Sequence, residues 1–213
     1  MVNKFKMIGF DLDGTLINSI DVWLDLFKRV LKNFKINAEE RKIKNLFGKE
    51  YKKIVYSLVP KEKAEEIIEK IKQERKNNLF LNKFKLFPFT EKVLLNIRKR
   101  GIKIATISGN DGEMNDFFIN KFRLNKMVDF CICAGNVKKG KPEPDMILKV
   151  LEFFRIPKKE FIYIGDTSYD VEMGKRAGVK TGAVLTGVLD EKEAEKLKPD
   201  FIFKDIRGVL KII

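Results

Sequence analysis

Residues 7–15 read Met7-Ile8-Gly9-Phe10-Asp11-Leu12-Asp13-Gly14-Thr15, an apolar run of four cut short by an acidic turn. Four consecutive apolar residues without polar alternation are the pattern of a strand covered on both faces, as in a parallel sheet. Asp-Gly cannot prolong it, because both residue types favour turns. The first unit is therefore a short buried strand ending in two carboxylates. Directly after it the spacing changes: Ile20, Trp23, Leu24, Phe27, Val30, Leu31 and Phe34 recur at helical intervals, with Ser19 placed to cap the helix.

Helical spacing continues over Glu39–Leu46, breaks at Gly48, resumes over Tyr51–Val59, stops at Pro60 and returns through Ile67, Ile68 and Ile71 to about Phe80. No strand pattern interrupts this block. Beyond Pro88 the chain alternates. Helices are expected at Thr90–Lys99, Glu113–Phe122, Pro144–Phe154, Ser168–Ala177 and Glu191–Lys198. Strands are expected at Lys103–Ile107, Val128–Cys133, Phe161–Ile164, Thr181–Leu185 and Phe201–Phe203. Repeated βα units predict a doubly wound parallel sheet with helices on both faces. The first strand has no partner nearby in sequence, so it joins that later sheet. Residues 1–16 and 86–213 are then one α/β core, and 17–85 a small all-helical insert hung from it by two crossings.

The chain has 213 residues, 44 Lys plus Arg, 30 Asp plus Glu and no His, a formal net charge of +14. Without histidine, a Ser-His or Cys-His nucleophile, an imidazole base and an imidazole metal ligand are all excluded. The two cysteines, Cys131 and Cys133, sit on one face of an expected strand, badly placed for an unstrained disulfide. Two sulfurs are also too few for a structural zinc site, so both read as small apolar core residues. The N-terminus turns acidic too soon for a signal peptide, and no apolar run reaches the ~20 residues of a membrane span. A cytoplasmic protein is expected. Its basic charge is interleaved with glutamate, as in Glu62-Lys63-Ala64-Glu65-Glu66, which describes a solvated surface better than a nucleic-acid or membrane face.

Loops at the carboxyl ends of parallel strands share one edge of the sheet. Four carry chemistry: Asp11–Thr15; Ser108-Gly109-Asn110-Asp111; Lys138–Pro144; and Gly165-Asp166-Thr167-Ser168-Tyr169-Asp170. Asp11, Asp13, Asp166 and Asp170 gathered there would repel one another unless a cation compensates. A hard divalent ion with oxygen ligands and retained waters, Mg²⁺, suits such a set. Lys141 and Ser108 would hold the free oxygens of a phosphate.

With these residues in view the sequence resembles the haloacid dehalogenase superfamily of phosphohydrolases, over nearly the whole chain. The family's DxDGT motif matches Asp11–Thr15, its Ser or Thr after a hydrophobic strand matches Ser108, its Lys in a KPxP context matches Lys141, and its GDxxxD matches Asp166 and Asp170. The insert after the first motif resembles the family's C1-type cap. The resemblance implies a Rossmann-like core, Mg²⁺ as cofactor, and a small phosphorylated metabolite as substrate, with no membrane partner. It further implies Asp11 as nucleophile, forming an aspartyl-phosphate, and Asp13 as acid/base. Mg²⁺ would be held by Asp11, Asp166 and the main-chain carbonyl of Asp13. Asp170 would bind it through water or orient Lys141, which would neutralise charge on Asp11 and the phosphoryl group.

Ser108, chosen over Thr106 as nearer the strand end, Gly109 and Lys141 would contact substrate phosphate. Thr15 would either hydrogen-bond Asp11 or cap the following turn. Lys49, in the break after Gly48 where such caps face substrate, is the candidate contact for a substrate carboxylate, with a solvated surface lysine as its alternative. Trp23, Phe27 and Leu31 read as packing. Two positions depart from the family pattern: Phe89 follows Pro88 where Gly is frequent, and Gly109 follows Ser108 where Asn is frequent.

The function expected is that of a Mg²⁺-dependent phosphatase similar to the phosphoglycolate phosphatases. Two alternatives stand beside it. One is a non-catalytic basic protein binding RNA or a protein partner on the same scaffold. The other is a phosphoryl-transfer relative such as a mutase or a pyrophosphatase, the mutase disfavoured because its relatives use a histidine that this chain lacks.

Overall fold

The computed structural model describes residues 4–213. The first strand, β1 (Met7–Phe10), is buried at all four positions. Beyond the acidic turn the chain leaves the core through β2 (Ile17–Asn18) and enters five helices: α1 (Ile20–Asn33), α2 (Glu40–Lys44), α3 (Tyr51–Leu58), α4 (Lys61–Glu74) and α5 (Asn78–Leu81). It returns through β3 (Lys85–Leu86), antiparallel to β2, with Ile17 opposite Leu86 and Asn18 opposite Lys85. The two crossings are thus zipped into a ribbon, where an all-helical stretch was expected from residue 17 to 85. Two-residue strands are too short to show a period, so the ribbon leaves no trace in the hydrophobic pattern.

Two local expectations for this segment fail. Ser19 does not cap α1; its backbone (φ −133°, ψ −15°) turns the hydroxyl back to donate to the Ile17 carbonyl at 3.4 Å. The last helix does not run unbroken to Phe80, because Asn77 interrupts it and accepts the Leu79 N–H at 2.8 Å, starting a new turn. The apolar stripe of α1 does face inward: Ile20, Trp23, Leu24, Phe27, Val30 and Leu31 are all buried. Each such side chain stabilises the packed insert by ~1.5–3 kcal/mol relative to exposure.

From Thr90 onward the alternation follows the expected order: α6 (Thr90–Lys99), β4 (Lys103–Ser108), α7 (Gly112–Lys121), β5 (Phe130–Cys133), α8 (Asp145–Phe154), β6 (Phe161–Gly165), α9 (Ser168–Ala177), β7 (Lys180–Val184), α10 (Glu191–Leu197) and β8 (Phe201–Phe203). The six long-range strands are parallel in the order β5-β4-β1-β6-β7-β8. One face buries Ile8 and Phe10 in a core continuous with Trp23 and Phe27 of the insert. The other packs Met7 and Tyr163 against Met146 and Met173. Both cysteines are free, Cys133 buried and Cys131 half-buried. Among the described residues no helix is long and apolar enough to cross a membrane.

Chain order runs from β1 outward through β4 to β5, then returns to the other flank of β1 for β6, β7 and β8. Connections therefore diverge on either side of β1 and open a crevice beyond its carboxyl end, the place where doubly wound sheets bind ligands. Register puts Phe10 opposite Thr106 on one side and Ile164 on the other. Asp11, Ser108 and Asp166 all emerge at this edge.

Candidate active site

Asp11 extends β1 by one ladder bond, its N–H donating to the Ile164 carbonyl at 2.8 Å. Asp11, Asp166 and Asp170 each bring a carboxylate oxygen within 4.8 Å of the others, and all three residues are buried. Lys141, from the loop before α8, places its Nζ 2.7 Å from Asp11 Oδ1 and 2.7 Å from Asp170 Oδ1. Three carboxylates against one ammonium leave an excess of two negative charges in a dry site, the charge that one divalent cation would balance.

The acidities carry the same message. Burial pushes the Asp11 carboxyl from 3.8 to about 7; Lys141 opposes the rise, while Asp170 and Asp13 add to it. Burial likewise drives Asp166 well above the ordinary carboxylate range, reinforced by the charges of Asp11 and Asp170. For Lys141 burial alone would favour the neutral amine, yet the two adjacent carboxylates outweigh it and hold the ammonium above its usual value. A bound cation would reverse this strain on the acids. An all-oxygen donor set with this surplus of charge fits Mg²⁺.

The surroundings of each acid differ. Asp166 accepts from Thr15 Oγ1 at 2.9 Å and from the Val188 N–H at 3.0 Å. Neither arrangement expected for Thr15 is present: it is fully buried, and its hydroxyl donates to Asp166 instead. Gly14 permits this approach. Its φ is +72°, and a β-carbon there would stand 2.3 Å from Asp166 Oδ2. Asp170 is held by Tyr163, Thr167 and Lys141: it accepts from Tyr163 Oη at 2.9 Å and from the Thr167 N–H and hydroxyl at 3.0 and 2.5 Å. As the third residue of α9 it belongs to a capping box with Thr167.

Asp13 turns its side chain away from this cluster. Its Oδ2 accepts from Asn110 Nδ2 at 2.5 Å and its Oδ1 from Trp23 Nε1 at 2.6 Å. Burial raises its pKa, and the neighbouring side chains of Ser19, Trp23 and Asn110 oppose the rise. Ser108 closes β4 opposite Cys133, fully buried, and its hydroxyl accepts from the Asn110 N–H at 3.1 Å and side chain at 3.0 Å. Thr106 lies two residues deeper, opposite Phe10 inside the sheet.

Above the loops lies a cavity of about 40 Å³, lined by Asp11, Asp13 and Asn110 from the core and by Trp23, Lys49 and Arg75 from the insert. Lys49 is half-buried, its Nζ 4.8 Å above the Tyr169 ring. Arg75, at the end of α4, is 5% exposed and bonds Asp111 through both terminal nitrogens at 2.8 and 2.7 Å. Its guanidinium also lies 4.5 Å from the Tyr51 ring centre. Asp111 in turn caps α7 through the Met114 N–H at 3.0 Å. A charge-assisted bidentate pair thus joins insert to core beside the cavity.

Sequence reasoning missed Trp23 as a partner of Asp13, the Arg75–Asp111 pair, and the loop after β7. In that loop Thr186 Oγ1 donates to the Gly14 carbonyl at 2.6 Å and the Val188 N–H holds Asp166. The available signal for the loop was its position beyond a strand's carboxyl end. The other two had none, since each depends on how the insert docks.

Comparison with known proteins agrees with this geometry. The family model of the haloacid dehalogenase-like hydrolases matches residues 8–184. The chain is 30% identical to the "Putative pyrophosphatase PpaX" of Caldanaerobacter subterraneus subsp. tengcongensis, over 99% of this chain and 95% of that one. Its fold matches the crystal structure of the "Putative haloacid dehalogenase-like hydrolase" from Bacteroides fragilis, with a TM-score of 0.87 at 24% identity, covering 97% of this chain and 100% of that one. It also matches the "predicted phosphoglycolate phosphatase" from Haemophilus somnus, with a TM-score of 0.84 at 20% identity, covering 100% and 99%. By family match, fold and the order of its acidic loops, this chain belongs to the haloacid dehalogenase-like hydrolases.

Proposed function

We propose that the chain is a Mg²⁺-dependent phosphatase of a small phosphorylated metabolite, acting through an aspartyl-phosphate on Asp11. What supports this above all is the buried cluster of Asp11, Asp166 and Asp170, in which Asp11 and Asp170 share the ammonium of Lys141. Mg²⁺ would be held by Asp11, Asp166 and the Asp13 carbonyl, and when bound it would neutralise charge on the phosphate and fix its orientation.

An oxygen of Asp11 attacks phosphorus, the bond from phosphorus to the leaving oxygen breaks, and Asp13 protonates that oxygen. Water then attacks the phosphorus of the aspartyl-phosphate, Asp13 takes its proton, and the bond to Asp11 breaks, returning the carboxylate and releasing orthophosphate. Lys141 holds Asp11 in place through both steps. Ser108 and Gly109 would meet the phosphate oxygens. Residues 17–85 would serve as the cap that excludes water, with Lys49 as a substrate contact.

A pyrophosphatase is the second reading, favoured by the cationic side chains of Lys49 and Arg75 on the cavity and by the name of the Caldanaerobacter relative. In that case the leaving group is itself a phosphate. Relative turnover of phosphoglycolate and pyrophosphate by the wild type separates the two readings, and Asp11→Asn tests the covalent route they share. Turnover of phosphoglycolate, pyrophosphate and an aryl phosphate should all vanish with the fold intact, and rapid quench of the wild type should map a phosphoryl group to Asp11. Residual activity above a few per cent would sink the covalent route.

A further inference from the structure

Asp13 is gripped from two bodies at once. Asn110 belongs to the loop after β4 in the core; Trp23 belongs to α1 of the insert. Each holds a different carboxylate oxygen, so together they fix both the plane and the rotation of the group. A carboxylate oxygen accepts along two lone-pair directions, and one hydrogen bond leaves the second free. Choosing which direction is filled therefore chooses which faces the reacting centre.

Trp23 is well built for such a task. It is 7% exposed, and its ring packs on Phe80 at 5.5 Å and Phe84 at 5.4 Å, so the indole N–H has little freedom to swing. Packing alone does not require a nitrogen at this position, since a phenylalanine would satisfy the apolar stripe. The N–H instead meets Asp13 Oδ1 at 2.6 Å, on the wall of the cavity that also exposes Asp11.

We propose that Trp23 is a positioning residue for the acid/base: its indole N–H aims the Asp13 carboxylate at the leaving-group oxygen. Because Trp23 rides on the insert, Asp13 is correctly aimed only while α1 is seated on the core, so shielding of the site and readiness for proton transfer arrive in one event. This inference rests on the reading of Asp13 as acid/base.

Two measurements test it. The chain has a single tryptophan, so its indole N–H gives one signal in a ¹⁵N-resolved proton spectrum that needs no mapping. Asp13→Ala should move that signal upfield, the direction of a lost bond to a carboxylate. An unmoved signal overturns the contact.

The second measurement is a leaving-group series from nitrophenyl to simple alkyl phosphates, run on Trp23→Phe, which keeps a ring and loses the donor. An acid matters most when the leaving oxygen is basic. The loss in kcat should therefore grow along the series, reaching roughly tenfold for alkyl phosphates, with KM little changed. Phe80→Leu, which disturbs the same packing without touching Asp13, should lower all substrates alike. A uniform loss in Trp23→Phe, or none, overturns the proposal. Asp13→Ala on the same series judges the acid/base reading separately: if it shows the steep dependence and Trp23→Phe does not, that reading stands and the role of Trp23 falls.

Discussion

The carbonyl oxygen of Gly48 lies where a β-carbon on Gly109 would need to be, at a separation of only 2.2 Å. Gly48 belongs to the insert and Gly109 to the loop after β4. On its other side Gly48 approaches Thr167, whose hydroxyl would be 2.8 Å from a β-carbon there, and its own φ of +98° suits glycine alone. The insert thus rests its backbone on two catalytic-edge loops at once. Gly109, which departs from the asparagine frequent at this place in the family, makes the seat possible.

Gly109→Ala should therefore hold the insert off the core without unfolding either. Misplacement of about 1 Å in a site of this kind costs on the order of 10²-fold in rate, so kcat/KM should fall by that order while circular dichroism and Tm stay near wild type. Gly112→Ala is the matching control, because a β-carbon there meets nothing within 4 Å. Wild-type activity in Gly109→Ala would mean that the close approach of Gly48 is not needed for turnover.

The core was legible because its information is periodic or local. β1 announces itself as four buried apolar residues, and α6, α9 and β8 fall at the residues the pattern marks. Asp11, Ser108, Lys141 and Asp166 were visible because strand ends in a parallel sheet share an edge, so naming the strands also names the loops that meet. What escaped depends on docking. The ribbon of Ile17 with Leu86 is too short for a period, and Trp23 reads as one more core aromatic until its nitrogen is seen against Asp13. Arg75 and Asp111 are 36 residues apart on different bodies, one in a lysine-rich helix and the other in an Asp turn, and neither looks unusual alone. The interleaving of charge has a local form: Lys44 with Glu40 and Lys70 with Glu74 lie one helical turn apart on the surface.

The buried acids make a signed prediction about pH and metal. Burial pushes the Asp11 carboxyl of the folded chain up to about 7, against 3.8 for an ordinary aspartate carboxyl. The folded state therefore binds the extra proton between those values. Stability contributed by this group is highest below pH ~4 and declines as pH rises to ~7, the opposite sense from a salt-bridged surface aspartate. Asp166, also raised by burial, contributes in the same sense. Mg²⁺ would offset the charge that replaces the proton. Thermal melts should thus show a Tm gain from millimolar Mg²⁺ that is small at pH 5 and several degrees at pH 8, and chelator should abolish it. An equal gain at both values would place the metal away from Asp11 and Asp166.

Lys49 offers the sharpest test of substrate choice. Lys49 is half-buried on the cavity wall, its ammonium 4.8 Å above the Tyr169 ring, and on the proposed reading it would face the part of the substrate beyond the phosphate. A second anionic group on the substrate, whether the carboxylate of phosphoglycolate or the second phosphate of pyrophosphate, would find its partner there. Removing one member of a buried charge pair costs about 2–5 kcal/mol, and partial exposure puts Lys49 near the lower end, about 2 kcal/mol or roughly 30-fold. Lys49→Ala should raise KM by about that factor for phosphoglycolate or pyrophosphate, whichever the wild type prefers, and leave a neutral aryl phosphate nearly unchanged. Lys49→Arg should recover most of the loss, since the charge and the ring contact both survive the change. Equal losses on both substrate types would point to damaged seating of the Gly48 turn, and no loss on either would return Lys49 to the solvated surface.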